Sequence, residues 1–187
     1  MKKAIMISVQ PRYVADILSG KKTIEIRKKR PACDLPINVY IYCTQKKEPN
    51  YVTGKEGKVV AKFTLRKIEE IERELLTDQW GDTYSAFCTK SSPRGVYREA
   101  QLSFWDLVAY TDNKDGYAWY IEDLVIFDEP KELGEFAKWG FSEYYYSNHD
   151  KESYITWERA CEAYHFKTET GYYRAPQSWC FIEEEEE

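Results

Sequence analysis

The sequence has no run of about 18 apolar residues, so no stretch of it reads as a membrane-spanning helix. It has no CxxC pair either. Its five cysteines, Cys33, Cys43, Cys88, Cys161 and Cys180, are odd in number and scattered, which argues against a disulfide framework and fits a reduced, cytoplasmic protein. Histidine is scarce. Cys161 and His165 stand at i, i+4 spacing, but a zinc site needs three or four ligands, so neither metal nor cofactor is expected. No glycine-rich phosphate loop and no Ser-His-Asp spacing is present. Basic excess is missing as well: the formal charge is −5, which argues against a general nucleic-acid binder. The N-terminal apolar run stops at Gln10 and Pro11 without a small-residue cleavage site, so no signal peptide is expected.

What is present is unevenly placed. The 187 residues fit one domain with a sizeable core. The glutamates at 183–187 supply the whole charge deficit and read as an acidic tail. Residues 21–30, in contrast, hold six cations and one acid. Such a basic strip either binds phosphate locally or is a solvated face. Within it, residues 20–30 read GKKTIEIRKKR. Alternation puts Thr23, Glu25 and Arg27 on one face and Ile24 and Ile26 on the other. The segment therefore reads as a half-buried strand flooring a polar cleft, with Lys21 and Lys22 at its entrance.

Pro11 suits the first position of a short helix, and Gly20 suits the left-handed cap that ends it. Strands are expected at residues 4–9, 22–28, 37–44, 58–71, 116–127 and 178–182, where β-branched and aromatic residues gather or alternate. Residues 75–88 read as weakly helical. Ser103 and Asp106 have capping-box spacing, so a helix is expected to begin there. About half of the 30 aromatic residues lie beyond residue 133. Residues 134–173 read as an aromatic-rich insertion, whose tyrosines could pack a core, stack bases or meet a protein partner. The organisation expected is a single domain over residues 1–182 followed by the tail at 183–187. Strands at both ends with helices between them imply an α+β class.

Several segments together resemble the ASCH domain family of PUA-like folds. They are Pro11-Arg12-Tyr13, then Ile17, Leu18 and Gly20, then Lys22-Thr23-Ile24-Glu25-Ile26-Arg27, followed by VYIYCT at 39–44, Gly116-Tyr117-Ala118 and Pro176-Gln177-Ser178. The resemblance implies a PUA-like β-barrel with flanking helices. It also implies an RNA or nucleotide ligand in a charged cleft beside the first helix. Lys21, Lys22, Thr23, Glu25, Arg27, Gln177 and Ser178 are the binding candidates, and Lys22 and Glu25 the catalytic ones.

The alternative it carries is a metal-independent hydrolase, either a modified-nucleoside amidohydrolase or a single-strand ribonuclease. Against the amidohydrolase, Glu25 stands where that activity's nucleophilic threonine falls, and only Asp106 lies near the place of its further carboxylate. Gln10 also stands where the family commonly has a lysine. Glu25 could neutralise Lys22 and Arg27, accept a hydrogen bond from a base, or act as general base. Taken as a recognition residue, it is expected to cost less than about 1.5 kcal/mol on Glu25→Gln, short of a buried-pair penalty.

Overall fold

β1 (Lys2–Val9) is flanked on both sides, and its sequence shows why it can be. Ala4, Ile5, Met6 and Ile7 are all fully buried, the continuous apolar run that a strand covered on both faces requires. It pairs in parallel with β3 (Ile37–Cys43), Ile5 opposite Val39, and antiparallel with β9 (Trp179–Glu184), Ile5 opposite Phe181. β4 (Lys58–Leu65) and β8 (Glu122–Glu132) complete a sheet of order β8-β4-β3-β1-β9. The parallel β1–β3 pair needs a long connection between its strands. That connection opens with α1 (Pro11–Leu18) and continues through β2 (Ile24–Arg27). In this computed structural model, residues 1–45, 54–112, 114–141, 143, 166 and 174–185 are described.

A second sheet is antiparallel throughout, with order β2-β7-β5-β6. Its strands are β2, β5 (Ile68–Thr77), β6 (Thr83–Cys88) and β7 (Gly116–Tyr120). Ile24, Ile26, Ile71, Phe87 and Ala118 cluster with Val96, Ala100 and Leu107, which brings in α2 (Tyr97–Ala100) and α3 (Phe104–Thr111). Two compact units result. One is Met1–Val14, Ile37–Phe63 and Leu124–Glu187; the other is Ala15–Pro36 and Thr64–Asp123. The first carries the five-stranded sheet and the second the four-stranded one. The α+β class is as expected, with strands dominant.

Several elements differ from the sequence reading. The long strand at 58–71 is two strands, β4 and β5, separated by Arg66 and Lys67. Residues 75–88 are strand rather than helix, because β5 and β6 pair antiparallel from Glu72–Cys88 to Thr77–Thr83. The strand at 116–127 breaks at Ile121. β8 then continues through Pro130, which its place at the edge of the sheet permits, since the absent N–H need not face a neighbour. β9 reaches Glu184, into the acidic run, with Lys2 opposite Glu184 and Lys3 opposite Glu183. Glu184 accepts hydrogen bonds from Asn38 (2.9 Å) and Tyr40 (2.6 Å) and lies 3.6 Å from the Lys62 ammonium. The residues at 144–165 and 167–173, which include most of the aromatic-rich stretch, His149, Cys161 and His165, lie outside the described part.

Candidate functional site

The site begins at the end of α1. Gly20 takes a left-handed conformation (φ +73°) and donates its N–H to the Ile17 carbonyl at 2.9 Å. The Lys22 N–H then reaches back to the Asp16 carbonyl at 3.0 Å. These are the bonds by which a glycine cap satisfies the last helical carbonyls. They also set where Lys22 leaves the helix. Next, the Thr23 N–H donates to the Glu99 carbonyl (2.8 Å), and the Thr23 carbonyl accepts from Ile121 (2.9 Å), so the backbone is fixed before β2 starts.

On this scaffold Lys22, Glu25 and Arg27 come together. Glu25 lies between the two cations: its Oε2 is 3.3 Å from Lys22 Nζ and its Oε1 is 3.0 Å from Arg27 Nη2. Lys22 Nζ also donates to the Ala100 carbonyl, the last residue of α2, at 2.6 Å. All three are buried, with exposures of 2%, 8% and 4% for Lys22, Glu25 and Arg27. This corrects the half-buried strand: every residue of β2 is buried. Alternation identifies which residues share a face, but not whether that face is covered. Across the strand pair, fully buried Trp119 stands opposite Glu25, and Tyr117 opposite Arg27.

Burial is the largest influence on Lys22 and lowers its pKa, because a desolvated ammonium is disfavoured; the Glu25 carboxylate works against that shift. Glu25→Gln would take the shared carboxylate from two buried cations, and the cost expected for that is about 3–5 kcal/mol, above the small one expected from sequence.

The other candidates are placed differently. Lys21 and the Thr23 side chain are exposed and outside the triad. Gln177 and Ser178 lie at the start of β9 in the other unit, both exposed, and the Ser178 carbonyl accepts from the Ser8 N–H at 3.0 Å. Asp106 closes the capping box of α3, accepting from the Ser103 N–H at 2.9 Å and the Ser103 hydroxyl at 2.7 Å. That occupies it as a cap.

Tyr110 is a neighbour that the sequence reading passed over. Burial raises its pKa, the nearby Arg27 and Glu25 charges pull it in opposite directions, and its hydroxyl accepts from the Lys28 backbone N–H. The Lys28 ammonium lies 5.3 Å from the Tyr110 ring centroid. The helix phase set by Ser103 was the signal that could have singled it out.

A second polar cluster in the same unit is saturated. Glu69 accepts from Tyr120 Oη (2.7 Å), Ser91 Oγ (2.9 Å) and the Ser91 N–H (3.1 Å), and lies 3.0 Å from the Lys67 ammonium. Burial alone would raise its carboxyl, yet these donors outweigh burial and bring it down to about 2. Among the described residues, no three His, Cys, Asp or Glu side chains gather in a way that could hold a metal ion. No helix among them is long and apolar enough to cross a membrane.

The described part is thus a mostly stranded α+β fold with a buried Lys-Glu-Arg set entered from a glycine-capped helix. The ASCH domain model matches residues 7–179, and the chain belongs to the ASCH domain family, which is thought to bind RNA. No curated protein matches the chain. Among solved structures, ASCH from Zymomonas mobilis aligns at 20% identity over 86% of this chain and 95% of that one, with a TM-score of 0.49. A serine-to-alanine mutant from the same organism aligns at 19% identity over 96% and 88%, with a TM-score of 0.52. At that identity the second likeness is one of fold.

Proposed function

We propose that this ASCH protein binds RNA or a nucleotide at the Lys22–Glu25–Arg27 set and the basic segment around it. The observation that carries this reading is the placement of the set: Lys22, Glu25 and Arg27 are buried together within a segment whose Lys21, Lys28, Lys29 and Arg30 are exposed. Buried charge is stable only when it is matched. Glu25 supplies a match to both cations here; an anionic ligand would meet the basic segment around them, and the forked guanidinium of Arg27 suits a phosphate better than a point charge does. Lys21 and Thr23, exposed on the same segment, are further contacts in this reading. Gln177 and Ser178 are candidates by resemblance.

The test is fluorescence anisotropy of a labelled single-stranded RNA across salt, for wild type, Lys22→Met and Arg27→Gln, with far-UV circular dichroism to confirm folding. Affinity is expected to fall with salt, by a log–log slope of about −0.7 per phosphate neutralised. Each variant is expected to lose about tenfold in affinity and to flatten that slope. A flat salt response, or unchanged binding in folded variants, rejects the reading.

One observation favours a second reading. Burial lowers the pKa of Lys22, which raises the fraction of neutral amine that could serve as a general base in a metal-independent hydrolase. Glu25 in the nucleophile's place argues against amide hydrolysis, so no release of acetate from acetylated cytidine is expected. Turnover that Lys22→Met abolishes would put the hydrolase first.

A further inference from the structure

We infer that the β5–β6 hairpin is a docking edge for an extended, lysine- or arginine-rich segment of a partner protein. β6 ends its sheet, and among the described residues no strand pairs with its outer side. The Phe87 N–H donates to Tyr97 Oη (2.8 Å) and its carbonyl accepts from the Val96 N–H (3.0 Å), both pointing away from β5. By the two-residue period, Ser85 and Thr83 present their backbone groups in the same direction, where nothing described meets them. Edge strands are usually guarded by lysine, proline or a bulge. The sequence of β6, TYSAFC, contains no lysine or proline.

The apolar side chains around this edge are unusually exposed: Trp80 at 79%, Leu75 at 74% and Tyr84 at 46%. Trp80 sits on a fixed tip. Asp78 Oδ1 accepts from the N–H groups of both Trp80 and Asp82 at 2.9 Å, and the Asp78 N–H donates to the Asp82 carbonyl at 2.9 Å. The ring is therefore held out in solvent on an ordered turn, as a hydrophobic anchor for binding needs to be.

Charge selects the occupant. Residues 70–82 carry Glu70, Glu72, Glu74, Asp78 and Asp82 against Arg73 alone. Such a surface repels RNA. It also repels a second copy of itself, because β6-to-β6 pairing would bring both sets of carboxylates together. A strand added beside β6 would lie about 9–10 Å from β5, two strand spacings away. A lysine or arginine side chain at every second position spans most of that gap toward the Glu72 and Glu74 side chains. The occupant that fits is a strand of alternating basic and apolar residues, with an apolar residue near Trp80. The mode is β-augmentation: ladder bonds give affinity, and alternate side chains give choice.

The probe is a fluorescein-labelled decapeptide alternating lysine and valine, titrated with the full chain by anisotropy. Two control peptides accompany it: one methylated on alternate backbone nitrogens, and one of equal composition with all lysines first. Saturable binding of the alternating peptide is expected, weakened tenfold or more by Trp80→Ala, by Ser85→Pro and by N-methylation, and kept by Lys22→Met. The methylation arm alters only the probe, so it decides even if Ser85→Pro fails to fold. Absence of saturable binding, or equal affinity for all three peptides, overturns the inference. Loss of RNA affinity in Trp80→Ala would assign the hairpin to nucleic acid instead. A concentration-dependent dimer in sedimentation that Ser85→Pro abolishes would make the occupant a second copy.

Discussion

Glu25 is the residue on which the two buried cations depend, and that dependence orders the expected mutant stabilities. Glu25→Gln takes from Lys22 and Arg27 the carboxylate that both pair with, at a cost of about 3–5 kcal/mol. Lys22→Met removes one of the two cations instead, leaves the Arg27–Glu25 pair at 3.0 Å and gives up the hydrogen bond to the Ala100 carbonyl. It should cost about 1–3 kcal/mol, the penalty for one unsatisfied buried acceptor. Urea unfolding of both variants checks the order, and a Lys22→Met loss equal to or above the Glu25→Gln loss would contradict it.

The two forms of Lys22 also predict a pH dependence. Its pKa in the folded state lies below 10.5, so the unfolded chain holds the proton to higher pH. The burial cost is full below the folded pKa and is relieved as pH rises toward 10.5. Wild type should therefore gain stability relative to Lys22→Met across that alkaline window; a constant difference would contradict it. That Glu25 and Arg27 share a face was legible from alternation, whereas Lys22 was placed only at the entrance of the cleft and Thr23, grouped with them, is exposed. The burial of Lys22, Glu25 and Arg27 was not legible, because a period of two says nothing about what covers a face.

At the scale of elements, signals confined to a few residues were legible and long-range ones were not. Ser103 and Asp106 do form the capping box of α3, and Gly20 does end α1 in the left-handed region. Each depends on neighbours within four residues. Residues 75–88 misled because two leucines among acids mimic a helix face. The strand there is set by pairing with partners six to sixteen residues away, from Thr77–Thr83 to Glu72–Cys88, and tertiary pairing overrides weak propensity. Gly20 supports a separate prediction. A Cβ built there meets nothing within 4 Å, so Gly20→Ala should cost only the left-handed backbone penalty, about 1–2 kcal/mol. Because the same turn delivers Lys22, RNA affinity should stay within about twofold if the turn survives. A loss well above 2 kcal/mol would mean that the helix end itself rearranges.

For the whole molecule, the family was legible because the densest of its motifs lie close together along residues 11–27, whereas the split into two sheets was not, since each sheet gathers strands from distant parts of the chain. The acidic run shows the limit of composition: five like charges read as a tail, yet Glu184 is tied to Asn38, Tyr40 and Lys62. Acid stability follows from a different carboxylate. Glu69 receives hydrogen bonds from Tyr120 and from both the hydroxyl and N–H of Ser91, with Lys67 beside it, and these lower its pKa from 4.5 to about 2 against the effect of burial. A depressed carboxylate stabilises the fold above its unfolded pKa, and that stabilisation fades as pH falls through the folded value. The contribution of Glu69 should thus be constant above about pH 4.5 and vanish by about pH 2. Glu69→Gln keeps the shape and most of the hydrogen-bonding capacity but cannot titrate. Urea midpoints of wild type and Glu69→Gln should converge across that interval and run parallel above it. Midpoints that stay parallel down to pH 2 would mean that the cluster is held by its neutral hydrogen bonds, and that acid unfolding of this chain starts elsewhere.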